Sequence, residues 1–218
     1  MKTSLSFLKD IKKNNNKDWF ELHKPMYLKA KAEYEVLIDE VIKGLQKFDK
    51  RISADLKGKD CLFRIYKDVR FSKDKTPYKT NFGASINPGG KKSLVAGYYL
   101  HLEPGASFLA GGMYMPEPNM LQAIRQEIDY NAEPLLKILK SASFKKYFKG
   151  IAEEGKLVNG PKGFDKEHPH LELLKNKHFI VMHSLSDKEI LDKGFQKMVI
   201  DGFKAMYPFL EYLRKATD

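Results

Sequence analysis

The residues whose types best suit chemistry lie between Cys61 and Asn81, in the segment CLFRIYKDVRFSKDKTPYKTN. This basic segment carries six basic and two acidic residues, with four aromatic rings among the charges. The basic residues are Arg64, Lys67, Arg70, Lys73, Lys75 and Lys79, the acidic residues are Asp68 and Asp74, and the aromatic residues are Phe63, Tyr66, Phe71 and Tyr78. Guanidinium and ammonium groups bind phosphate and carboxylate groups, and arginine does so through paired hydrogen bonds. The basic segment is therefore a candidate anion site.

A second candidate lies between Leu94 and Glu103, where apolar and polar residues alternate with the period of a strand. Tyr99, His101 and Glu103 occupy alternate positions and would share one face of that strand. A histidine beside a glutamate can perform general acid–base catalysis, and a tyrosine can take part in the same proton transfer. These three residues are the candidate catalytic residues.

The two candidates would meet if the predicted strands 61–66, 80–87 and 94–103 belong to one sheet. The polar faces of the first two strands would add Arg64, Tyr66, Asn81 and Ser85, and glycines at 83 and 97 would leave space above the sheet. The candidate ligand-binding residues are Arg64, Asp68, Arg70, Lys73, Asp74, Lys75, Tyr78, Lys79 and Asn81. The alternative is a solvated polar face on which Arg64 and Glu103 form an ordinary cross-strand ion pair.

Two other features are interpreted as structural. The run Gly90-Lys91-Lys92-Ser93 has only a superficial likeness to a phosphate-binding P-loop, because Ser85 stands where the first glycine is required and a strand follows instead of a helix. Cys61 has apolar neighbours at alternate positions, which indicates an inert buried thiol instead of a nucleophile.

The histidines at 168, 170, 178 and 183 could suggest a metal site, but no cysteine accompanies them. Pro169 places the first two in a loop, so we interpret these residues as surface or capping histidines. No metal site and no cofactor are predicted.

The composition is that of an ordinary globular protein, with 42% hydrophobic residues over 218 positions. The net charge of +11 is unusual and favours an anionic partner: nucleic acid, a phosphorylated metabolite or an acidic protein. The competing interpretation is a lysine-rich surface, because only the basic segment concentrates its charge. No oligomeric state is predicted.

The chain has no apolar run approaching ~18 residues, so no membrane span and no membrane partner are predicted. The amino-terminal residues lack a long apolar stretch, which argues against a signal peptide. The single cysteine cannot form an internal disulfide. These observations lead us to expect a soluble protein in a reducing, cytoplasmic environment.

Helical patterns occupy both ends of the chain. A first helix should run to about Lys13, an Asp18–Glu21 capping box should open the next, and a long apolar stripe follows Pro25. The stripe includes Tyr34, Ile38, Val41 and Leu45. Helices are also predicted from Pro118, over 135–148 and 171–174, and from a Ser186–Glu189 capping box to about Lys215, with a break before Pro208.

Between these helices, residues 61–114 read as four consecutive strands with short turns, and 179–183 as a fifth. Short connections favour antiparallel pairing. The sequence therefore predicts one α+β domain over 1–218, with a mostly antiparallel sheet of four to six strands and the terminal helices packed on it. Phe63, Ile65, Leu94, Leu100 and Leu102 are expected to be buried.

Four motifs resemble those of a widespread bacterial family known as a domain of unknown function, number 2461. They are Arg64-x-x-Lys-Asp-x-Arg-Phe-x-x-Asp-Lys-x-Pro-Tyr-Lys79, Tyr99-x-His-x-Glu-Pro-Gly105, Gly111-Gly-Met-Tyr-Met-Pro-Glu-Pro118 and Pro161-Lys-Gly-Phe-Asp-Lys-Glu-His-Pro169. The resemblance runs from near Phe7 to the C-terminal helices. It implies that the basic segment, the Tyr99–Glu103 strand and the 161–169 loop belong to one common design, and it implies no activity.

Three functional hypotheses follow from these patterns. The first is a pocket that binds, and could turn over, an anionic small molecule bearing phosphate or carboxylate. The second is a nucleic-acid-binding module that uses the basic segment and its aromatic rings. The third is a protein-interaction or scaffold domain in which the charges form an internal ion-pair network.

Overall fold

The computed structural model describes residues 1–218. Ten helices and four strands follow one another along the chain. They are α1 (Lys2–Lys13), α2 (Lys17–Leu22), α3 (Lys24–Leu45), α4 (Gly58–Cys61), β1 (Phe82–Ile86), β2 (Gly97–Leu102), β3 (Ser107–Met113), α5 (Pro118–Asn131), α6 (Glu133–Lys140), α7 (Ala142–Lys145), α8 (Leu171–Leu174), β4 (Phe179–Leu185), α9 (Asp187–Leu191) and α10 (Phe195–Thr217).

The four strands form one antiparallel sheet in the order β1-β2-β3-β4. Helices from both ends of the chain pack on one of its faces, as predicted. That face carries apolar side chains such as Ala84, Tyr98, Leu100, Leu109 and Val181, all buried. The α+β class, the antiparallel pairing and the number of strands are confirmed.

Helix α3 joins the amino-terminal helices to the sheet. Its predicted stripe of Tyr34, Ile38, Val41 and Leu45 is fully buried, because residues three and four apart lie on the same side of a helix. The Tyr34 hydroxyl donates to the Leu100 carbonyl in β2 at 2.7 Å, which satisfies a polar group inside the core.

Helix α10 crosses the same face of the sheet and carries a buried charge. The Arg214 guanidinium donates to Asp49 Oδ2 at 2.9 Å and to the Ala96 carbonyl at 2.9 Å, and neither charged side chain is exposed. The Tyr98 hydroxyl donates to the same Asp49 oxygen at 2.9 Å. This buried network ties the C-terminal helix, the loop after α3 and β2 together.

The basic segment is less regular than predicted, and the predicted strand 61–66 is wrong. Cys61 ends α4, and the following residues make only isolated bridges, one of them between Leu62 and Ala84 at the outer edge of β1. Without a regular pleat the alternation fails, so Phe63 is 42% exposed although Ile65 is buried as predicted.

The predicted strand 94–103 begins later, at Gly97, and Leu94 is 57% exposed instead of buried. The reason is the buried Asn87 side chain, which donates to the carbonyls of Ser93 and Val95 at 3.3 and 3.5 Å and holds this segment as a loop. Leu100 and Leu102, which lie within the regular strand, are buried as predicted.

Two predicted helix boundaries are also wrong. Helix α2 is capped by the Asn16 side chain, which accepts from the Trp19 amide, so no capping box begins at Asp18. Helix α10 continues through Pro208 without a break, whereas the Ser186–Glu189 capping box is present as predicted. None of the helices has the length and apolar content required to cross a bilayer.

Candidate functional site

The face of the sheet opposite the helices carries a cavity of about 680 Å³. Its floor includes Gly97, Ala110 and Gly112, which the strand register places side by side on β2 and β3. The Asn87 side chain occupies the position that a Cβ atom of Gly97 would take, and the Phe179 carbonyl does so at Gly112, so these two glycines permit close contacts instead of open space. Larger apolar residues that line the cavity include Phe63, Leu94, Phe108, Tyr114, Met115 and Met182. The size lies within the ordinary range for small-molecule sites.

Two lysines line the cavity near the outer edge of β1. The Lys79 ammonium lies over the Phe63 ring, 5.5 Å from its centroid, and the Lys91 ammonium donates to the Leu62 carbonyl at 2.9 Å. Neither forms an ion pair with a carboxylate. Burial lowers the pKa of Lys79, and the nearby Arg64 guanidinium lowers it further. The β1 side of the cavity therefore carries positive charge that no carboxylate of the chain neutralises.

The predicted catalytic residues form a hydrogen-bonded chain that begins at the cavity floor. Tyr99 lines the cavity, and its hydroxyl lies 3.0 Å from His101 Nδ1. His101 Nε2 lies 3.2 Å from Glu103 Oε2, and Glu103 Oε1 accepts from the Thr80 hydroxyl at 2.9 Å. The His101 ring stacks on Phe108 with centroids 4.6 Å apart, which fixes its orientation.

The direction of these hydrogen bonds follows from their chemistry. An ionised Glu103 can only accept, so Nε2 of a neutral His101 carries the proton and Nδ1 accepts from Tyr99. Burial, and then the Glu103 carboxylate, raise the pKa of Tyr99 to about 12, so its phenol keeps its proton at neutral pH. The raised pKa disfavours a phenolate, so in this arrangement Tyr99 is a hydrogen-bond donor at the floor of the cavity, with His101 Nδ1 as its acceptor.

Gly83 on β1 makes room for this chain. A Cβ atom at this position would lie 2.6 Å from the Tyr99 hydroxyl oxygen, closer than non-bonded atoms approach. Any larger residue would displace the phenol from its contact with His101.

The structure does not bring all the predicted ligand-binding residues together. Lys79 lines the cavity together with Tyr99, whereas Asn81 contacts His101, its Nδ2 lying 3.5 Å from Nδ1. Arg64 is exposed beside Lys79 and forms no ion pair, so the alternative of an Arg64–Glu103 pair is not what the structure contains.

The other predicted ligand-binding residues lie outside the cavity lining. Most make local contacts within their own loop: Asp68 pairs with Arg70 at 2.7 Å, Asp74 pairs with Lys67 at 2.7 Å, and Lys75 donates to the Val69 carbonyl. Lys73 is exposed without a partner, and Tyr78 is buried against Phe20 with ring centroids 4.1 Å apart.

Sequence reasoning missed three charged residues that line the cavity, namely Lys91, Glu117 and Glu154. Lys91 belongs to the run that superficially resembles a P-loop. Its position beside two glycines was the one feature of the sequence that could have indicated a role in anion binding. Glu117 falls inside the Gly111–Pro118 motif, which is the one signal that could have identified it.

The histidines of the 168–183 region do not form a metal centre. His168 Nε2 pairs with Asp129 at 3.1 Å, and His183 Nδ1 contacts the Tyr147 carbonyl at 2.8 Å. No group of three or more histidine, cysteine, aspartate or glutamate side chains is arranged to hold a metal ion. None of the residues 161–169 lines the cavity.

Comparison with known proteins identifies one family. Residues 3–212 match the family described as "Conserved hypothetical protein (DUF2461)", so the match covers nearly the whole chain. No curated protein and no solved structure matches the chain.

Proposed function

We propose that the cavity binds a small molecule bearing a phosphate or carboxylate group. The chain belongs to the family of conserved hypothetical proteins that it matches. The family description names no activity, so the proposal rests on the cavity itself.

The observation that carries the proposal is the pair of cations at Lys79 and Lys91. Both side chains line the cavity, and neither is neutralised by a carboxylate of the chain. Partly desolvated ammonium groups of like sign repel each other, and an anion placed between them would relieve that repulsion. Burial and the nearby Arg64 guanidinium lower the pKa of Lys79, and an anion bound beside its ammonium would favour the charged form.

The rest of the cavity indicates what else the ligand carries. Exposed apolar side chains, among them Phe63, Leu94 and Met182, surround the space beyond the lysines. Isolated exposed apolar residues are common on protein surfaces, but a contiguous set around a cavity is typical of a binding site. We therefore infer an anionic ligand with an apolar body.

Proton transfer to or from this ligand is the second part of the proposal. Tyr99 lies on the floor of the same cavity, and His101 and Glu103 hold its hydroxyl. In this scheme Tyr99 passes its proton to His101 Nδ1 and takes one from the ligand, and Glu103 stabilises the resulting imidazolium. The Arg64 guanidinium adds positive charge beside Lys79 without contacting a carboxylate.

Isothermal titration with octanoate and with phenyl phosphate tests the binding proposal. Both probes join an anionic group to an apolar body. We expect binding by the wild type and at least a tenfold loss of affinity in the double variant Lys79→Met/Lys91→Met. Lys92→Met is the matched control, since Lys92 is an exposed neighbour that does not line the cavity. Equal affinity in all three proteins, or no binding by the wild type, would contradict the proposal.

A second candidate function is nucleic-acid binding by the loop of the basic segment. Phe71 is 95% exposed, with the Arg70 guanidinium 5.8 Å from its ring centroid and Lys73 and Lys75 exposed nearby. An exposed ring among cations is the arrangement on which unpaired bases stack. Titration with single- and double-stranded oligonucleotides over a salt series distinguishes this candidate. Binding that weakens with salt and falls in Phe71→Ala supports it, and no binding at low salt excludes it.

The scaffold hypothesis predicts neither result. The ion pairs Asp68–Arg70 and Lys67–Asp74 join residues of one loop and are partly exposed, so they are local contacts and do not form the internal network of this hypothesis. If no small anion and no oligonucleotide binds, this hypothesis gains over the other two.

A further inference from the structure

The charged residues that line the cavity are separated by sign. Four are present: Lys79 and Lys91 are positive, and Glu117 and Glu154 are negative. The lysines contact Phe63 and Leu62, which lie along the outer edge of β1. The glutamates lie on the opposite side, towards β3 and β4.

Two contacts locate the segments that carry the glutamates, whose own side chains are exposed. The Ala152 amide donates to the Ile180 carbonyl of β4 at 2.8 Å, which places the segment before Glu154 along the outer edge of the sheet. The Met115 amide donates to His178 Nδ1 at 3.0 Å, which holds the segment that leads to Glu117 beside the start of β4. Neither glutamate forms an ion pair or a side-chain hydrogen bond, although the chain has a net charge of +11.

The sheet sets the distance between the two signs. Three inter-strand steps separate β1 from β4, which is roughly 14 Å at about 4.8 Å per step. The lysine and glutamate side chains extend inwards from these edges and shorten the span, and a probe with charged groups about 10 Å apart tests whether both ends can be reached. The floor between them includes the apolar side chains of Ala110 and Phe108 together with Tyr99.

We propose that the ligand is bipolar: an anionic group lies at Lys79 and Lys91, an amine or other cationic group lies at Glu117 and Glu154, and an apolar spacer crosses the floor. This inference rests on the proposed function and adds the second charge and its distance. Opposite charges on one wall would neutralise each other, whereas charges on opposite walls orient a molecule with two charged ends. A short peptide-like or amino-acid-like molecule has this chemistry.

The experiment compares octanoate with ω-aminooctanoate, whose amine lies about 10 Å from its carboxylate in the extended form. We expect the amine to improve wild-type affinity about fivefold, as an accessible ion pair would. In Glu117→Gln/Glu154→Gln the two probes should bind equally. Glu167→Gln, an exposed glutamate outside the cavity with no side-chain contact, should keep the fivefold preference.

A short probe supplies a further control for distance. The pair ω-aminobutanoate and butanoate cannot span the cavity, so the amine should give no gain with these compounds.

The outcomes separate the two proposals. If octanoate binds through the lysines and the amine gives no gain, the bipolar ligand is wrong and the anion site remains. A fivefold gain that survives Glu117→Gln/Glu154→Gln also overturns the inference, because other groups would then bind the amine. If neither probe binds the wild type, the proposed function fails and the inference fails with it.

Discussion

Tyr98 and Tyr99 are adjacent in β2, and their hydroxyls lie in opposite environments. Tyr98 points into the core, where it donates to Asp49, which also accepts from Arg214. Tyr99 points to the open face, where it contacts His101, which pairs with Glu103. The hydroxyl of each tyrosine is therefore hydrogen-bonded to a network that contains a carboxylate and a basic group. The first network is fully buried, and the second borders the cavity.

The two networks differ in whether solvent or a ligand can reach their polar groups. In the buried one, Arg214 and Asp49 are both inaccessible to solvent, so their charges must remain paired. In the open one, the tyrosine lines the cavity, where a ligand or water can reach it. The same alternation of a strand thus separates a structural charge network from one suited to chemistry.

The largest effect should follow from breaking the buried pair. We expect Arg214→Met to lower the free energy of unfolding by ~3–5 kcal/mol, because it leaves the Asp49 carboxylate buried without its cation. Chemical denaturation measures the loss. The double variant Asp49→Leu/Arg214→Met removes both charges and should recover much of it; a double variant as unstable as the single one would contradict this explanation.

A core leucine tests which face of β2 is covered. Leu100→Ala should cost ~2–5 kcal/mol, because it opens a space under α3. Leu94→Ala, at the cavity, should change the unfolding free energy by less than ~0.5 kcal/mol. A loss below that value for Leu100→Ala, measured by the same denaturation, would mean that the faces are reversed.

Removing each tyrosine hydroxyl compares the two networks directly. Tyr98→Phe takes a donor from the buried Asp49 and should cost ~1–3 kcal/mol. Tyr99→Phe should cost clearly less, because water can reach the open face. Any proton transfer in the cavity should instead be lost in Tyr99→Phe and retained in Tyr98→Phe. Equal losses of stability in the two variants would show that the two hydroxyls contribute equally to the fold.

The smallest effect on stability is expected for Arg64→Ala, within ~0.5 kcal/mol, since this exposed guanidinium has no partner to leave unpaired. Phosphate or octanoate should bind about threefold more weakly, as expected for the loss of one nearby charge. Thermal melting with and without phosphate gives both values. A large loss of stability, with no phosphate-dependent stabilisation of the wild type, would contradict the ligand site.

The effect of Arg64→Ala on anion affinity should depend on pH. Anion binding requires a protonated Lys79, whose pKa is lowered by burial and by Arg64. Affinity for octanoate should therefore fall as pH rises through that lowered pKa. Without Arg64 the pKa of Lys79 rises, so the fall should move to higher pH. Titration calorimetry over an alkaline pH series detects the shift, and an unchanged or lower midpoint would count against it.

The sequence could predict those parts of the molecule in which a pattern coincides with a regular element. The stripe of α3 and the alternation from Ala96 to Leu102 are examples, because burial of one face imposes the period. Tyr99, His101 and Glu103 were placed on the open face for the same reason.

The remainder depends on contacts that no local pattern encodes. Phe63 and Leu94 continue an apparent alternation into segments that are loops. Lys91 reaches the cavity only because its loop returns to Leu62. Arg214 lies four residues after the buried Leu210, on the apolar stripe of its helix, whereas arginine is usually exposed, so its position and its residue type give opposite indications.

The Asp49–Arg214 pair also has a consequence for the synthesis of the protein. The two residues are separated by 165 positions. During synthesis, Asp49, the strands and their apolar face are therefore exposed long before Arg214 has been added to the chain. Until then the sheet lacks α10 as its cover, and exposed strands and apolar surface favour aggregation of partly folded chains. We expect the nascent protein to complete its fold late, and to depend on chaperones until the last helix docks.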